Sequence, residues 1–390
     1  MKNKLFYNKH KITNRDIAEV IKTLKYQKLS KGEQNNNFSK NLKNFFDCKY
    51  CQLVSSGTSA QLILAKALNW KKGDHIILSP LSFISGANSV LINNATPVFV
   101  DINLKDYNFD YDKLENKIKT LRKRKKKIKA IVSTDYAGIP GNWKKLKKIS
   151  KKYKIVLIND NCHALGASYQ NTKSYALKFA DHVIQSFHAV KNITTGEGGA
   201  LLTNNKKVYQ DANRLAQHGF QNPEKIITPW DYEIKQTPGF NFRISDINCA
   251  IGNSQLKRIN KIINTRRKLA KIYDKFFSKY SYFKFIKESK EFKCSYHLYP
   301  LSINFYLLNI NEKLFYKRMR DKFGIILQKH YKPTYKFKIF SKYITQKKNE
   351  FKNTELFYSN TFSLPLHLDL SQKKIIYIFK SILYSLKLIK

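Results

Sequence analysis

A chain of 390 residues, 42% hydrophobic and 14% aromatic, can build a sizeable core without disulfide or metal staples and is neither disordered nor collagen-like. Its formal charge of +46 would suit nucleic acid or an acidic membrane surface, yet only ten of the 73 basic residues are Arg. The rest are Lys spread over the whole chain beside abundant Asn, Ile, Tyr and Phe, which reads as the composition of an AT-rich genome rather than as a nucleic-acid footprint.

The N-terminal MKNKLFYNKHKITNRD lacks the apolar run of a signal peptide, and no uncharged stretch approaches the ~20 residues that cross a bilayer. Five cysteines, at Cys48, Cys51, Cys162, Cys249 and Cys294, are an odd number and not a secreted disulfide framework. The Cys48-x-x-Cys51 pair has no second pair and no His at zinc spacing, so reduced thiols beside a strand are expected, with no metal. A cytoplasmic protein without nucleic-acid or membrane partners is expected.

In chain order, SAQLILAKAL (59–68) reads as a helix, and HIILSP (75–80), TPVFVDI (96–102) and IKAIVSTDY (128–136) read as strands. The basic run 122–129 reads as a solvated surface loop. Next come the helix GNWKKLKKISKKY (141–153) and the strands KIVLINDN (154–161), DHVIQSFH (181–188) and GALLTN (199–204). Such alternation predicts an α/β fold, a mostly parallel central sheet flanked by helices. After Arg243 one long helical stretch, ISDINCAIGNSQLKRINKIINTRRKLAKIYDKFF, leads into short strands and amphipathic helices. A large domain over 1–250 and a smaller C-terminal α+β domain over 251–390 are expected.

Four segments carry candidate chemistry. SSGTSAQL (55–62) runs a Gly-containing turn into a helix, whose free N–H groups can form an anion site. Ser, Gly and Thr at a helix start are also ordinary capping chemistry, the reading the segment favours when taken alone. Asp160 ends an apolar strand, where ligands gather in open α/β sheets; it can hold a protonated ring nitrogen or cap a helix. In SFHAVKNITTGEGGALLT (186–203), Lys191 lies among Ala189, Val190, Ile193 and Gly196 rather than on a charged face. An amine held among apolar groups has a lowered pKa and becomes a nucleophile. In TPGFNFRISDINCAIG (237–252), Asn241 and Arg243 precede a helix and suit phosphate or substrate contact, or simply a turn and a surface.

Together SSGTSA, NDNCHALGA, SFHAVKNITTGEGG and GFNFRISDINCAIG resemble the DegT/StrS-type nucleotide-sugar aminotransferases over nearly the whole chain. The resemblance extends to PLSFISGANSVLINNATPVFVDIN, GIILQKHYKPTY and SLPLHLDL. It implies a fold-type I aminotransferase dependent on pyridoxal 5'-phosphate, in which Lys191 binds the cofactor covalently and shuttles the proton. Asp160 would pair with the ring nitrogen, Phe83 would stack on the ring, and His163 would lie beside it. Gly57, Thr58, Ser59 and Ser186 would take the phosphate, and Asn241 would reach the phosphate of the neighbouring subunit in a homodimer with composite sites. Tyr136, His188, Arg243, His330 and Tyr331 are the expected substrate contacts. Where the family often has Glu before the strand-end Asp, this chain has Asn159. STDYAGIPGNW and NCHALGASY look most similar to the branch that aminates C4 of UDP-linked 4-keto-6-deoxy-N-acetylhexosamines, with glutamate as the expected donor. Other C4 or C3 sugar aminotransferases and a non-catalytic basic binding protein remain alternatives.

Overall fold

The computed structural model describes residues 4–220, 233–234, 236–344 and 349–389. Its central sheet contains β1 (Tyr50–Val54), β2 (Asp74–Leu78), β3 (Thr96–Phe99), β4 (Lys127–Thr134), β5 (Val156–Asp160), β6 (His182–Ser186) and β7 (Gly199–Thr203). They lie side by side in the order β1-β7-β6-β5-β4-β2-β3. The run from β6 to β3 is parallel, and β7 is antiparallel to both its neighbours. Every run read as a strand is one, and the residues at the end of several of those runs leave the sheet to form site loops. YCQLV, the strand β1, lacks the unbroken apolar run that marks the others. β1 is an edge strand whose burial alternates at Tyr50 to Leu53, whereas β7 is buried throughout and announces itself as an apolar run.

The helices of this part are α1 (Asn14–Tyr26), α2 (Glu33–Phe46), α3 (Gly57–Ala67), α4 (Ser85–Ile92), α5 (Tyr111–Lys123), α6 (Trp143–Tyr153), α7 (Tyr175–Phe179) and α8 (Lys206–Ala216). In α6 the local logic is plain. Asn142 caps it by accepting the Lys145 N–H at 2.9 Å, Trp143, Leu146, Ile149 and Tyr153 share the buried stripe, and Lys154 ends it in the left-handed region. Six lysines are thereby turned to the outer face or its flanks without disturbing the core.

The long stretch after Arg243 is two helices, α9 (Asp246–Leu256) and α10 (Ile259–Phe277), broken at Lys257 and Arg258. Arg258 is drawn out of helical geometry to meet the buried Asp16 of α1. The expected boundary at residue 250 falls inside α9, which packs on α1 and α2. From Leu269 onward the chain builds a core of its own around a three-stranded antiparallel sheet (Phe283–Lys284, Tyr299–Ile303, Thr361–Leu364). Leu81, Tyr107, Tyr136 and Ile139 from the large sheet's loops enter that same core. Among the described residues no helix is long and apolar enough to cross a membrane.

One carboxylate ties the two cores. Asp101, just past β3, is 1% exposed and accepts Lys113 Nζ at 2.7 Å, Thr354 N at 2.9 Å and Thr354 Oγ1 at 2.7 Å. It thereby caps the helix Lys352–Asn360 from across the molecule. Asp101→Ala strands these donors and should cost about 3 kcal/mol. Urea unfolding of the cofactor-free protein at fixed concentration will show a lower midpoint, and an unchanged midpoint would refute the assignment.

Candidate active site

β4, β5 and β6 end at one edge of the sheet, and α3 begins there. Ser56 caps α3 by accepting the Ser59 N–H at 3.0 Å, so the N–H groups of Gly57 and Thr58 stay outside the helix ladder and face the edge with the positive end of the dipole. Two glycines permit this approach. A Cβ on Gly57 would lie 2.9 Å from Ser186 Cβ, and one on Gly199 would lie 2.4 Å from the Ser56 carbonyl. Gly57 and Ser59 are buried, Thr58 is exposed, and Ser186 is half-buried at the end of β6. The expected phosphate residues are thus gathered around one helix N-terminus.

Asp160 closes β5 and is 7% exposed. Its Oδ1 accepts the Cys162 N–H at 3.2 Å and its Oδ2 accepts Gln61 Nε2 at 3.4 Å, so α3 itself steadies the carboxylate. Lys191 lies within electrostatic reach of both Cys162 and Asp160. Burial lowers its amine below the ordinary lysine value, against the opposing pull of Cys162 and Asp160. The ITTGEGG string that follows is scaffolding. Thr195 N donates to the Phe187 carbonyl at 2.9 Å, and Thr194 Oγ1 reaches the same oxygen at 3.1 Å. Thr195 Oγ1 reaches the Glu197 carbonyl at 2.7 Å, and Gly196 turns the chain at φ +79°.

Phe83 is 55% exposed, with its ring 5.8 Å from that of Tyr331 and roughly edge-on to it. Tyr331 Oη lies 3.0 Å from His163 Nε2. The Ala137 N–H donates to His163 Nδ1 at 3.3 Å, so the imidazole proton sits on Nε2 and points to Tyr331. Burial and the nearby Lys191 hold His163 well below the usual histidine range, and it is neutral. Tyr136 is 1% exposed and donates its hydroxyl to the His330 carbonyl, and His330 Nδ1 meets Ser363 Oγ at 2.8 Å. Both therefore brace the Tyr331 loop from behind.

Three other expected residues lie outside this cluster within the single chain. His188 is exposed, 3.6 Å from Glu197. Asn241 is exposed on a segment whose Phe242 carbonyl accepts the Ser55 N–H at 2.8 Å. Arg243 faces a cleft of about 330 Å³ with Lys31, Asn35, Gln52, Asn213 and Gln217, none of them among the groups around Lys191. Missed altogether were Gln61, Cys162, His297, Asn8 and Arg266. His297 packs against His163 with ring centres 4.3 Å apart and the planes tilted by 46°. Asn8 donates to the Val190 carbonyl, beside Lys191, and accepts Arg266 Nη2 at 3.1 Å. Cys162 lies in NDNCHALGA and Gln61 in SSGTSAQL, so both sit inside legible segments; His297, Asn8 and Arg266 join the site from distant parts of the chain and carry no local signal.

A depressed amine, a strand-end carboxylate, an exposed aromatic face and an anion-binding helix start converge here. That donor set fits a phosphorylated, cationic aromatic aldehyde, with Gly57 and Gly199 leaving the clearance beside Ser186.

Residues 10–383 match the model of the DegT/DnrJ/EryC1/StrS aminotransferase family. The chain is 36% identical over 371 residues to the UDP-4-amino-4,6-dideoxy-N-acetyl-beta-L-altrosamine transaminase of Campylobacter jejuni, covering 95% of this chain and 94% of the relative. It is 32% identical to the Helicobacter pylori protein of the same name, covering 97% and 96%. Among solved structures, Helicobacter pylori PseC, an aminotransferase involved in the biosynthesis of pseudoaminic acid, superposes with a TM-score of 0.89 over 99% of this chain and all of that one, at 32% identity. The PLP-form of a sugar aminotransferase of Streptococcus pneumoniae, Spr1654, gives 0.87 at 25% identity over 99% of each chain. The chain belongs to the DegT/DnrJ/EryC1/StrS family and is a pyridoxal-phosphate-dependent aminotransferase.

Proposed function

We propose that the enzyme aminates C4 of a UDP-linked 4-keto-6-deoxy-N-acetylhexosamine, with glutamate as donor, to form UDP-4-amino-4,6-dideoxy-N-acetyl-β-L-altrosamine. The observation that carries this reading is the end-to-end similarity to transaminases of that name. The free thiols suit a reducing cytoplasm.

When bound, pyridoxal 5'-phosphate supplies an electron sink for negative charge on the substrate carbon. Gly57, Thr58, Ser59 and Ser186 would hold its phosphate, Asp160 its ring nitrogen and Phe83 its face. Lys191 would hold it covalently, and its depressed pKa makes the free amine available to take and return a proton at the substrate carbon. His163, neutral with its proton on Nε2, would orient Tyr331 without adding a charge beside Lys191. Tyr331 and the loop that Tyr136 and His330 brace would bear on the sugar so that its 4-keto carbon faces Lys191. Reacting atoms must come within about 3 to 3.5 Å, and a sugar shifted by one ring carbon misses that distance. Asn241, exposed beside the Ser55 turn, supports a homodimer in which each copy completes its neighbour's phosphate site.

Lys191→Ala should abolish transamination with the fold retained, and borohydride reduction of the native enzyme should label Lys191 and no other lysine. Mixing that variant with Asn241→Ala should restore activity through heterodimers that hold one intact site; a monomeric active species on sedimentation contradicts sharing. Asp160→Asn should lose most turnover and weaken cofactor binding by about 1.5 to 3 kcal/mol, since an amide cannot balance a protonated ring nitrogen. Near-normal turnover would reduce Asp160 to a structural cap. Incubation with UDP-linked 4-keto sugars and glutamate, read by mass and NMR, should place the new amine at C4; amination at C3, or preference for sugars lacking the N-acetyl group, sinks the substrate assignment.

A further inference from the structure

Beneath Asp160 lies a buried polar layer that the reaction as described does not use. Asp135 follows the last residue of β4, is 0% exposed, and gathers five donors. Its Oδ1 accepts Gly141 N and Trp143 Nε1, both at 3.0 Å. Its Oδ2 accepts Asn159 Nδ2 at 3.1 Å, Asn161 Nδ2 at 3.0 Å and the Tyr175 hydroxyl at 2.7 Å. None of the five is a cation, and burial pushes the carboxyl up to about 6. A carboxylate kept in the interior without a counter-charge is costly, and only a full set of donors offsets that cost.

The identity of two donors gives the layer its meaning. Asn159 and Asn161 flank Asp160, and in an extended strand alternate side chains point to opposite faces. Drawing both neighbours onto Asp135 therefore turns Asp160 the other way, toward Lys191 and Gln61. The Asp135 N–H also donates to the Asp160 carbonyl at 3.1 Å, and Asn161 Oδ1 accepts Gln185 Nε2, next to Ser186. One acceptor thus couples the ends of β4, β5 and β6. We propose that Asp135 is a positioning residue, which sets the direction of the Asp160 carboxylate and the placement of Ser186 and so governs cofactor binding from behind the site.

The proposal rests on the reading of Asp160 as the partner of the ring nitrogen. The test is Asp135→Asn, which keeps the shape but sets an amide N–H₂ against donors whichever way it is turned, since each oxygen serves at least two. Three quantities are measured: thermal unfolding of the cofactor-free protein, the dissociation constant for pyridoxal 5'-phosphate by fluorescence quenching, and the visible absorption band of the bound cofactor. The expected result is cofactor affinity weakened by about tenfold or more, with the visible band altered in the manner of Asp160→Asn. The unfolding midpoint of the cofactor-free protein should fall as well, because buried donors lose their acceptor, so the visible band and the recovery in the double variant carry the assignment. The double variant Asp135→Asn with Asn161→Asp exchanges acceptor and donor, and the unpaired Oδ1 of Asn159 can turn to take the second amide hydrogen. It should recover most of the lost affinity. Affinity within about twofold of native in Asp135→Asn, or no recovery in the double variant, overturns the proposal. Should Asp135→Asn fail to fold, Asn161→Ala gives the same reading, and native affinity and absorption there overturn it equally. Asp160→Asn run alongside separates the two ideas: if that variant leaves affinity and band unchanged, it is the reading of Asp160 that fails.

Discussion

The site depends on how closely the start of α3 approaches β6 and β7. Gly57 packs where a side chain would strike Ser186, and Gly199 lies where one would strike the Ser56 carbonyl. Only with both positions empty of side chains can the positive end of the helix reach the same strand edge that carries Asp160 and leads into the Lys191 loop. A methyl group at Gly199 would have to push backbone, not a flexible side chain, and close packing leaves that displacement nowhere to go. The helix start and the Asp160 carboxylate, linked through Gln61, are thereby held at the same end of the sheet, with Lys191 within electrostatic reach of Asp160.

Charge around the amine is kept sparse by burial. His163, His297 and His330 all lie near Lys191, and each is driven below the usual histidine range first by burial and then by its cationic neighbours. His330 falls to about 3. At neutral pH the three rings are donors, acceptors and apolar surface, not competing cations. The buried Arg266 guanidinium is satisfied by donating to the Tyr296 and Leu366 carbonyls, at 3.0 and 2.9 Å, and to Asn8 Oδ1. Asn8 in turn donates to the Val190 carbonyl, which ties an N-terminal residue to the wall beside Lys191.

The C-terminal part is more than an appended lid. Its core takes in Tyr136 and Ile139 from the loop after β4, and Tyr331 returns from it to meet His163 and Phe83. Asp101 fastens its helix to the end of β3. The wall that would meet the sugar is consequently anchored from both cores, which allows regiochemistry to rest on rigid packing rather than on a mobile loop.

What the sequence determined by itself is whatever depends on near neighbours along the chain. The parallel strands were legible because strands buried on both faces are unbroken apolar runs, and Asp160 and Lys191 stood out as polar groups placed at the ends of such runs. The Ser-Phe-His-x-x-Lys-x-x-Thr-Thr-x-Glu-Gly-Gly string carried the family because its turns close on themselves within about a dozen residues. Asp135 offered the same strand-end signal as Asp160, but nothing local says which such acid faces a ligand and which faces five donors. Phe83 and Tyr136 are both aromatic residues after strands, yet one ring is 55% exposed and the other 1%. Only the tertiary structure decided those cases, together with His297, Arg266, Gln61 and the break between α9 and α10. Each is set by a partner far away in sequence, and a side chain's surroundings are fixed by which distant surface packs over it, not by the residues on either side.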